Sequence, residues 1–229
     1  LCLSIPTEFV NVVLRIEETM TFRALFVVYV LMSVAPAFAG RPLLDHDIRL
    51  PKITTATISL GVAKAPWGWV DFCERHKGEC DRQFTNSEPI RLSPNTWSMI
   101  EQVNGEVNSS IHEADDLEIY GVEERWEYPD SGLGDCEDFA LLKRKKLASL
   151  GLPIQALLMT VVTDENGMGH AILTVQTNRG DFVLDNRTNS ILAWQNTNYA
   201  FVKRQSSENP NIWVRIGIPN APALTATGK

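Results

Sequence analysis

One short stretch decides the fold of this chain: Gly134-Asp135-Cys136-Glu137-Asp138-Phe139-Ala140. Its glycine forms a tight turn that delivers a cysteine to the first turn of a predicted helix, with three carboxylates around it. Backbone N–H groups at a helix start carry partial positive charge, and this environment lowers the pKa of a thiol. The carboxylates have the opposite effect unless a cation or their own geometry offsets their charge. The stretch predicts a reactive thiol, and a buried structural cysteine is the alternative.

Two later motifs supply the other parts of a thiol hydrolase site. Gly169-His170-Ala171 opens a predicted strand, and Leu184-Asp185-Asn186 ends the following one. In a cysteine-based triad, an imidazole takes the thiol proton and a carboxylate orients the imidazole. Cys136, His170 and Asp185 are therefore the predicted nucleophile, base and orienting acid.

The loop of the predicted hairpin decides whether the histidine and the aspartate meet. With a four-residue loop over residues 176–179, His170 lies directly opposite Asp185 on one face of the hairpin. With a two-residue loop at residues 179–180, the pairing shifts and the two residues separate. The triad therefore predicts the four-residue loop.

Periodicity predicts a mixture of helices and strands around these motifs. Ser93-Pro94 is a good helix start, and apolar residues at helical spacing predict a helix over 95–111. A second helix is predicted over 136–150, with the cysteine on its core-facing side and Lys143 inside its apolar stripe. Strands are predicted over 53–61, 154–162, 170–176, 181–184, 190–194 and 212–218.

Charge and polar patterning give mostly structural expectations. The chain of 229 residues has a formal charge of −7, which argues against a nucleic-acid partner because such partners require a basic surface. Seven acidic residues between 113 and 127 are predicted to form a solvated face rather than a metal site. The basic run over 143–146 is predicted to be a solvated helix end, favourable to the helix dipole. Asn104 and Asn108 lie on one helix face, where surface or capping roles are expected.

The N-terminal part of the chain has the layout of an export signal. Arg23, an uncharged apolar run over 24–34 and the small-residue site Ala37-Phe38-Ala39 are typical of a secretory signal peptide. The apolar run is too short to span a bilayer, and an uncleaved anchor is the alternative. Residues 1–39, an upstream segment and the signal peptide, are therefore expected to be absent from the mature protein.

Export places the cysteines in an oxidising compartment. Cys73 and Cys80 flank a short polar loop and are the predicted disulfide pair, which leaves Cys136 unpaired and reactive. A zinc site formed by Cys73, His76 and Cys80 is the competing interpretation. Its spacing is irregular and it lacks a fourth ligand.

The three motifs, with Trp194 behind them, resemble the bacterial transglutaminase-like cysteine peptidases over roughly Ser93 to Trp194. The resemblance implies an α+β fold with a papain-like or transglutaminase-like core, in which the nucleophile helix packs on an antiparallel sheet. The corresponding domain prediction is an N-terminal lobe over 40–92, a cysteine peptidase core over 93–218 and a tail over 219–229.

The resemblance also implies a calcium cofactor and particular partners. In periplasmic members of the family, acids flanking the cysteine bind calcium, which here designates Asp135, Glu137 and Asp138 as metal ligands. A bound cation would offset the carboxylates beside the thiol. Such members cut a large surface adhesin involved in biofilm formation, and an inner-membrane receptor for cyclic di-GMP restrains them. The resemblance implies that this chain is periplasmic and has partners of the same kind.

The predicted function is a periplasmic, calcium-dependent cysteine endopeptidase that works through an acyl-enzyme. A transglutaminase or amidase would use the same triad, and it would be identified by released ammonia instead of new N-termini. A non-catalytic binding module with the same fold is the second alternative. A Cys136→Ala protein with undiminished function would favour that module.

Export predicts a defined mature N-terminus. The leader begins naturally at Met20 and its cleavage site ends at Ala39, so residues 1–19 are expected to be upstream sequence. N-terminal sequencing of the protein from cells should give Gly40 as the first residue. Peptides that cover residues 8–15 in the cellular protein would contradict this expectation.

Overall fold

The computed structural model describes residues 48–81 and 88–217. The predicted leader over 1–39 and the predicted tail over 219–229 lie outside the described residues. Within the described ranges, no helix combines the length and the apolar content needed to cross a membrane.

An antiparallel sheet forms the centre of the fold. The strands of the described residues are β1 (Ile58–Ala63), β2 (His112–Glu113), β3 (Leu133–Gly134), β4 (Leu157–Thr163), β5 (Gly169–Thr177), β6 (Gly180–Asp185), β7 (Thr188–Ala193), β8 (Ala200–Gln205) and β9 (Trp213–Gly217). Seven of them form one sheet in the order β1-β9-β8-β4-β5-β6-β7. Every neighbouring pair in it is antiparallel, whereas β2 and β3 form a separate parallel pair.

The described residues form two long helices, which pack against this sheet, and three shorter ones. They are α1 (Trp67–Arg75), α2 (Lys77–Cys80), α3 (Pro94–Ser110), α4 (Asp116–Tyr120) and α5 (Cys136–Ser149). α3 starts where the sequence indicates, because Ser93 Oγ accepts a hydrogen bond from the Thr96 N–H at 3.1 Å. α5 contacts α3 and the strands β4, β5 and β6. The predicted α+β class, with the nucleophile helix on an antiparallel sheet, is confirmed.

Alternating strand residues fill two apolar layers. The layer between sheet and helices buries large side chains, among them Trp69, Phe72, Trp97, Trp126, Phe139, Met159, Leu173 and Trp213. The opposite face holds a smaller cluster of Val162, Ile172, Val183 and Trp194. Each large apolar side chain buried in this way stabilises the fold by about 1.5–3 kcal/mol. The main layer also fixes α5 relative to β5, which positions the site described below.

The described part of the segment predicted as an N-terminal lobe is built into the core sheet. β1 pairs with β9 at the sheet edge. The residues before β1 cross the end of the β5–β6 hairpin, where the Thr57 N–H and Oγ1 donate to Asp181 Oδ2 at 2.9 and 2.7 Å. The described residues on both sides of the predicted boundary at residue 92 therefore belong to one folded unit.

Several elements differ from the predicted ones. The sequence does not indicate β8, α4 or the β2–β3 pair, which are short or lie in polar segments. β1 begins at Ile58 instead of residue 53, because the preceding backbone bonds to the hairpin, as in Thr54 N–H to Arg179 O at 2.8 Å. β4 begins at Leu157 because Ile154–Ala156 forms a 3-10 turn.

The corner between α1 and α2 is closed by a disulfide. Cys73 and Cys80 form the predicted bond, which excludes the competing zinc site. His76 instead lies 2.6 Å from Glu127, between His76 Nε2 and Glu127 Oε1, and Arg75 contacts the same carboxylate. The corner is thereby attached to the segment that precedes the loop before Cys136.

Opening the disulfide is expected to lower the free energy of unfolding. The bond joins residues seven apart, and loop-closure entropy for so short a loop corresponds to about 2.5 kcal/mol. Urea unfolding followed by tryptophan fluorescence would compare oxidised and reduced protein. The Cys136→Ser variant, which keeps the disulfide but lacks the free thiol, is the matched control and should show the same difference between its oxidised and reduced forms. Equal stability of the two redox forms would contradict the prediction.

Candidate active site

A close approach at Gly134 sets the entry of the chain into α5. A Cβ at this position would lie 2.8 Å from both Cβ and Oδ2 of Asp138, so a side chain would displace the aspartate. Asp135 follows as the N-cap residue and Cys136 begins the helix. The half-buried Cys136 Sγ accepts a hydrogen bond from the Ala171 N–H at 3.4 Å. This contact joins the start of α5 to β5.

His170 and Asp185 form a buried hydrogen-bonded pair. His170 Nε2 lies 2.9 Å from Asp185 Oδ1, and both side chains are at most 4% exposed. Because Nε2 faces the carboxylate, Nδ1 is the ring nitrogen left to exchange a proton with a thiol. A cleft of about 240 Å³ is lined by Pro66, Trp126, Cys136, Val161, His170 and Lys203. The structure thus brings Cys136 and His170 to one cleft, and Asp185 binds the same imidazole.

The hairpin register differs from the predicted one. Thr177 pairs with Gly180, so the loop holds two residues instead of the predicted four over 176–179. Asp185 therefore falls two positions away from the place directly opposite His170. A shift of two residues keeps both side chains on the same face, and diagonal neighbours remain within reach of long side chains. The predicted directly opposed pairing is wrong, although the two side chains still meet.

Local hydrogen bonds favour the shorter loop. Thr177 Oγ1 donates to the carbonyl of Gly180 at 2.7 Å. Gly180 has a φ of +106°, a conformation that a side chain would strain. The Asn178 N–H donates to Ile90 O at 2.9 Å. The last contact comes from a distant part of the chain, so the hairpin sequence alone does not reveal it.

Asp185 is held by further donors that the sequence does not indicate. The hydroxyl of Tyr199 donates to Asp185 Oδ2 at 2.5 Å, and the Arg187 N–H donates to Oδ1 at 3.1 Å. Burial raises the pKa of Asp185, but the hydrogen bonds from His170 and Tyr199 outweigh burial and hold it below its usual value. Asp185 is therefore an ionised acceptor for the imidazole. Tyr199 lies outside any periodic pattern, and no sequence signal points to it.

Three carboxylates form a second cluster behind the thiol. Oxygens of Asp116, Asp135 and Asp138 lie within 4.8 Å of one another. The Arg125 N–H donates to Asp116, and the Glu127 N–H donates to Asp138 Oδ1 at 2.8 Å. Each of the three aspartates also has one buried oxygen without a hydrogen-bond partner among the described residues. Oxygens of this kind are suitable ligands for a hard divalent cation.

Burial shifts the titration of this cluster. Burial is the main reason why the pKa of Asp138 is raised to about 8 and that of Asp135 to about 6. The pKa of Asp116 is also raised, again chiefly by burial. Negative charges on neighbouring members add to these shifts, so the cluster holds protons at a higher pH than free carboxyl groups do.

The remaining predicted metal ligand, Glu137, contacts the thiol. Cys136 Sγ donates to Glu137 Oε2 at 3.3 Å, and Glu137 groups with Asp135 and Cys136. Burial raises the pKa of Glu137 well above its usual value, and the charge of Asp135 adds to the effect. Burial also raises the pKa of Cys136, with a further increase from Glu137 and a decrease from the Ala171 N–H. The expected benefit of the helix start is therefore outweighed by burial and the acids.

The acidic run is only partly the solvated face that the sequence predicts. Asp116 is 2% exposed, because the β2–β3 pair brings α4 against the nucleophile loop. Glu124 accepts a hydrogen bond from Trp126 Nε1 at 2.7 Å, and Glu127 binds Arg75 and His76. Asp116 contradicts the prediction, whereas Glu124 is exposed as predicted and Glu127 is partly buried. Sequence spacing separates Asp116 from the cysteine, so it gives no sign of their proximity.

A cysteine at a helix start, beside a histidine–aspartate pair on an antiparallel sheet, defines a thiol hydrolase of the α+β class. A sequence model of the bacterial transglutaminase-like cysteine proteinases, BTLCP, matches residues 59–220. The chain belongs to this family and is a cysteine peptidase.

Solved structures of LapG from Legionella pneumophila are similar to this chain. The calcium-bound form is 24% identical with a TM-score of 0.46, over 54% of this chain and 72% of that one. A second LapG structure is 26% identical with a TM-score of 0.44, over 52% and 66%. The EGTA-treated form is 25% identical with a TM-score of 0.45, over 53% and 71%. A search of curated protein sequences gave no significant match.

Without divalent cations, stability is expected to fall as the pH rises from about 5 to 8. The pKa values of Asp135 and Asp138 are raised to about 6 and about 8 in the folded protein, above about 3.9 in an unfolded chain. The folded state therefore holds protons that the unfolded state has released, and this stabilisation is lost as the pH passes the folded-state values. Thermal unfolding in EGTA at several pH values would measure it.

Variants of two aspartates test the source of that dependence. Asp138→Asn should flatten the pH dependence, while Asp130→Asn, at an exposed site in the loop before α5, should leave it unchanged. A melting temperature that rises with pH in EGTA would refute the prediction.

Proposed function

We propose that this cysteine peptidase is a periplasmic, calcium-dependent endopeptidase with the triad Cys136, His170 and Asp185. The observation that carries the proposal is the buried hydrogen bond between His170 and Asp185, at 2.9 Å, beside the cleft that holds Cys136. The disulfide between Cys73 and Cys80 supports export, because such bonds persist in oxidising compartments.

The reaction is acyl transfer to water. His170 Nδ1 takes the thiol proton, and Cys136 Sγ attacks a peptide carbonyl. The imidazolium then gives its proton to the leaving amine, and water attacks the acyl-enzyme to release the acid and restore the thiol. Asp185 holds Nε2–H throughout and stabilises the imidazolium. The backbone N–H of Cys136, at the helix start, stabilises the oxyanion.

The acidic cluster fits calcium. Asp116, Asp135 and Asp138 would hold the ion with the buried oxygens that have no partner among the described residues. Glu137, beside them, is the remaining predicted ligand. When bound, calcium supplies positive charge that offsets the carboxylates around the thiol. This chemistry accounts for burying so many acids next to a nucleophile.

The surface adhesin and the inner-membrane cyclic di-GMP receptor stay predictions. Both follow from the resemblance in the sequence. A role in biofilm formation would depend on them.

Cys136 alkylation tests the triad and calcium together. In the mature protein, iodoacetamide should label Cys136 at least about tenfold faster with calcium than with EGTA. A nearby base takes the thiol proton, and bound calcium offsets the negative charge of the acids, so both favour the thiolate. His170→Ala should slow labelling by about the same factor or more. His112→Ala, at an exposed histidine outside the cleft, is the matched control.

Product analysis then separates peptidase from transferase. New N-termini in protein substrates, detected by mass spectrometry, are expected, without ammonia release from glutamine substrates. Labelling at the rate of an ordinary thiol, unaffected by calcium and by His170→Ala, would instead favour a binding module.

A further inference from the structure

The basic run over 143–146 is not the solvated helix end that the sequence predicts. Lys143 is 0% exposed and Arg144 is 2% exposed. Lys146 does reach the surface, where its Nζ lies 2.5 Å from Glu106 Oε1. Half of the run is thus part of the core.

The expected surface role of Asn104 is also wrong. Asn104 is buried, and its Nδ2 donates to Asn189 O at 3.2 Å. Asn108, four residues further along α3, donates through Nδ2 to the carbonyl of Asp185 at 2.9 Å. The two asparagines therefore attach α3 to the β6–β7 hairpin.

A different basic residue lies in the cleft that holds the thiol. Lys203 belongs to β8 and lines this cleft together with Cys136 and His170. Its side chain is half-buried, and among the described residues its Nζ donates one hydrogen bond, to the carbonyl of Lys64 at 3.0 Å. Because an ammonium has three N–H donors, this contact leaves two of them for a further acceptor.

The register of the sheet fixes the position of Lys203 relative to the thiol. The Ala171 N–H donates to Cys136 Sγ. Ala171 pairs with Val161 of β4, and Val161 pairs with Lys203 of β8. Directly paired residues share one face of a sheet, and two strand spacings amount to about 10 Å. An extended peptide spans that distance with about three residues, so a substrate at the thiol reaches Lys203.

Lys203 has no carboxylate partner among the described residues, although acids line the same cleft. Glu124 Oε1 accepts a hydrogen bond from Trp126 Nε1 at 2.7 Å, and Glu137 Oε2 accepts one from the thiol at 3.3 Å. The charged group that acts on Lys203 is a second cation, Lys64. Burial, and after it the charge of Lys64, lowers the pKa of Lys203. A carboxylate beside Lys203 would offset both effects.

We propose that Lys203 is a specificity-determining residue of the peptidase: its ammonium binds the carboxylate of an aspartate or glutamate side chain within about three residues of the scissile bond. The inference rests on the proposed function, because that function makes Cys136 the nucleophile. Lys203 is the only lysine or arginine among the described residues that line the cleft, and Pro66, Trp126 and Val161 give it apolar lining. An ionic contact in a partly desolvated cleft is stronger than one in water.

A matched pair of thiol reagents tests the charge of Lys203 without a substrate. The amides of N-iodoacetyl-glutamate and N-iodoacetyl-glutamine have nearly the same shape and differ by one negative charge. In the mature protein with calcium, the rate of Cys136 labelling by the glutamate reagent relative to the glutamine reagent should fall about fivefold in Lys203→Met, because an attracting positive charge is lost. Lys203→Arg should keep the wild-type ratio, and Lys203→Glu should lower it further.

Arg215→Met is the matched control for these variants. Arg215 pairs with Lys203 on the neighbouring strand β9, is exposed and lies outside the cleft. Its removal should change the ratio by less than about twofold. A ratio that is unchanged in folded Lys203→Met would overturn the proposal.

Cleavage of a peptide library by the wild-type protein tests the specificity itself and does not depend on the folding of a variant. Aspartate and glutamate should be enriched about fivefold at one position within three residues of the scissile bond. Lys203→Glu should enrich lysine and arginine there instead. Cleavage without enrichment of acids, or a requirement for a free C-terminal carboxylate in place of an acidic side chain, would overturn the proposal.

A failure of the proposed function would give a different result. Labelling at the rate of an ordinary thiol, unaffected by calcium and by His170→Ala, contradicts that function. The ratio between the two reagents remains measurable in this case, because every accessible thiol reacts at some rate. Fast, calcium-dependent labelling with a ratio that ignores Lys203→Met would refute the role of Lys203 alone.

Discussion

The burial of carboxylates around the first turn of α5 is the constraint on which the rest of the site depends. Asp116, Glu137 and Asp138 are buried, and Asp135 is half-buried beside them. Backbone N–H groups of the preceding loop satisfy some of their oxygens, while others have no partner among the described residues. Such an arrangement is costly without protons or a cation. The disulfide corner, the β2–β3 pair and the close approach at Gly134 all hold this segment in place.

Asp185 is a buried carboxylate whose pKa is shifted in the opposite direction. Its oxygens accept hydrogen bonds from His170, Arg187 and Tyr199, and its pKa lies below the usual value. The aspartates beside the cysteine have raised pKa values in the same fold. One site can give similar groups different roles when their environments shift their pKa values apart. Here one buried carboxylate is ionised and hydrogen-bonded to an imidazole, while the others are suited to a cation.

The sequence predicts the parts of the site that are encoded locally. Ser93 marks the start of α3, and the glycine turn before Cys136 marks the start of α5. Both depend on a few neighbouring residues, as do the motifs of His170 and Asp185. Asp116 and Tyr199 are not predictable in this way, because long-range contacts bring them to the site. Lys143 is recognisable in the sequence as a charge in an apolar stripe, and the structure buries it completely.

The error in the hairpin register shows which feature of the hairpin the contact between His170 and Asp185 requires. A shift of one residue would move Asp185 to the opposite face of the sheet, away from His170. The observed shift is two residues, which preserves the face and changes a direct neighbour into a diagonal one. An imidazole is long enough to reach across that diagonal, as the 2.9 Å contact shows. The requirement is therefore the parity of the strand positions, because parity decides on which face of the sheet each side chain lies.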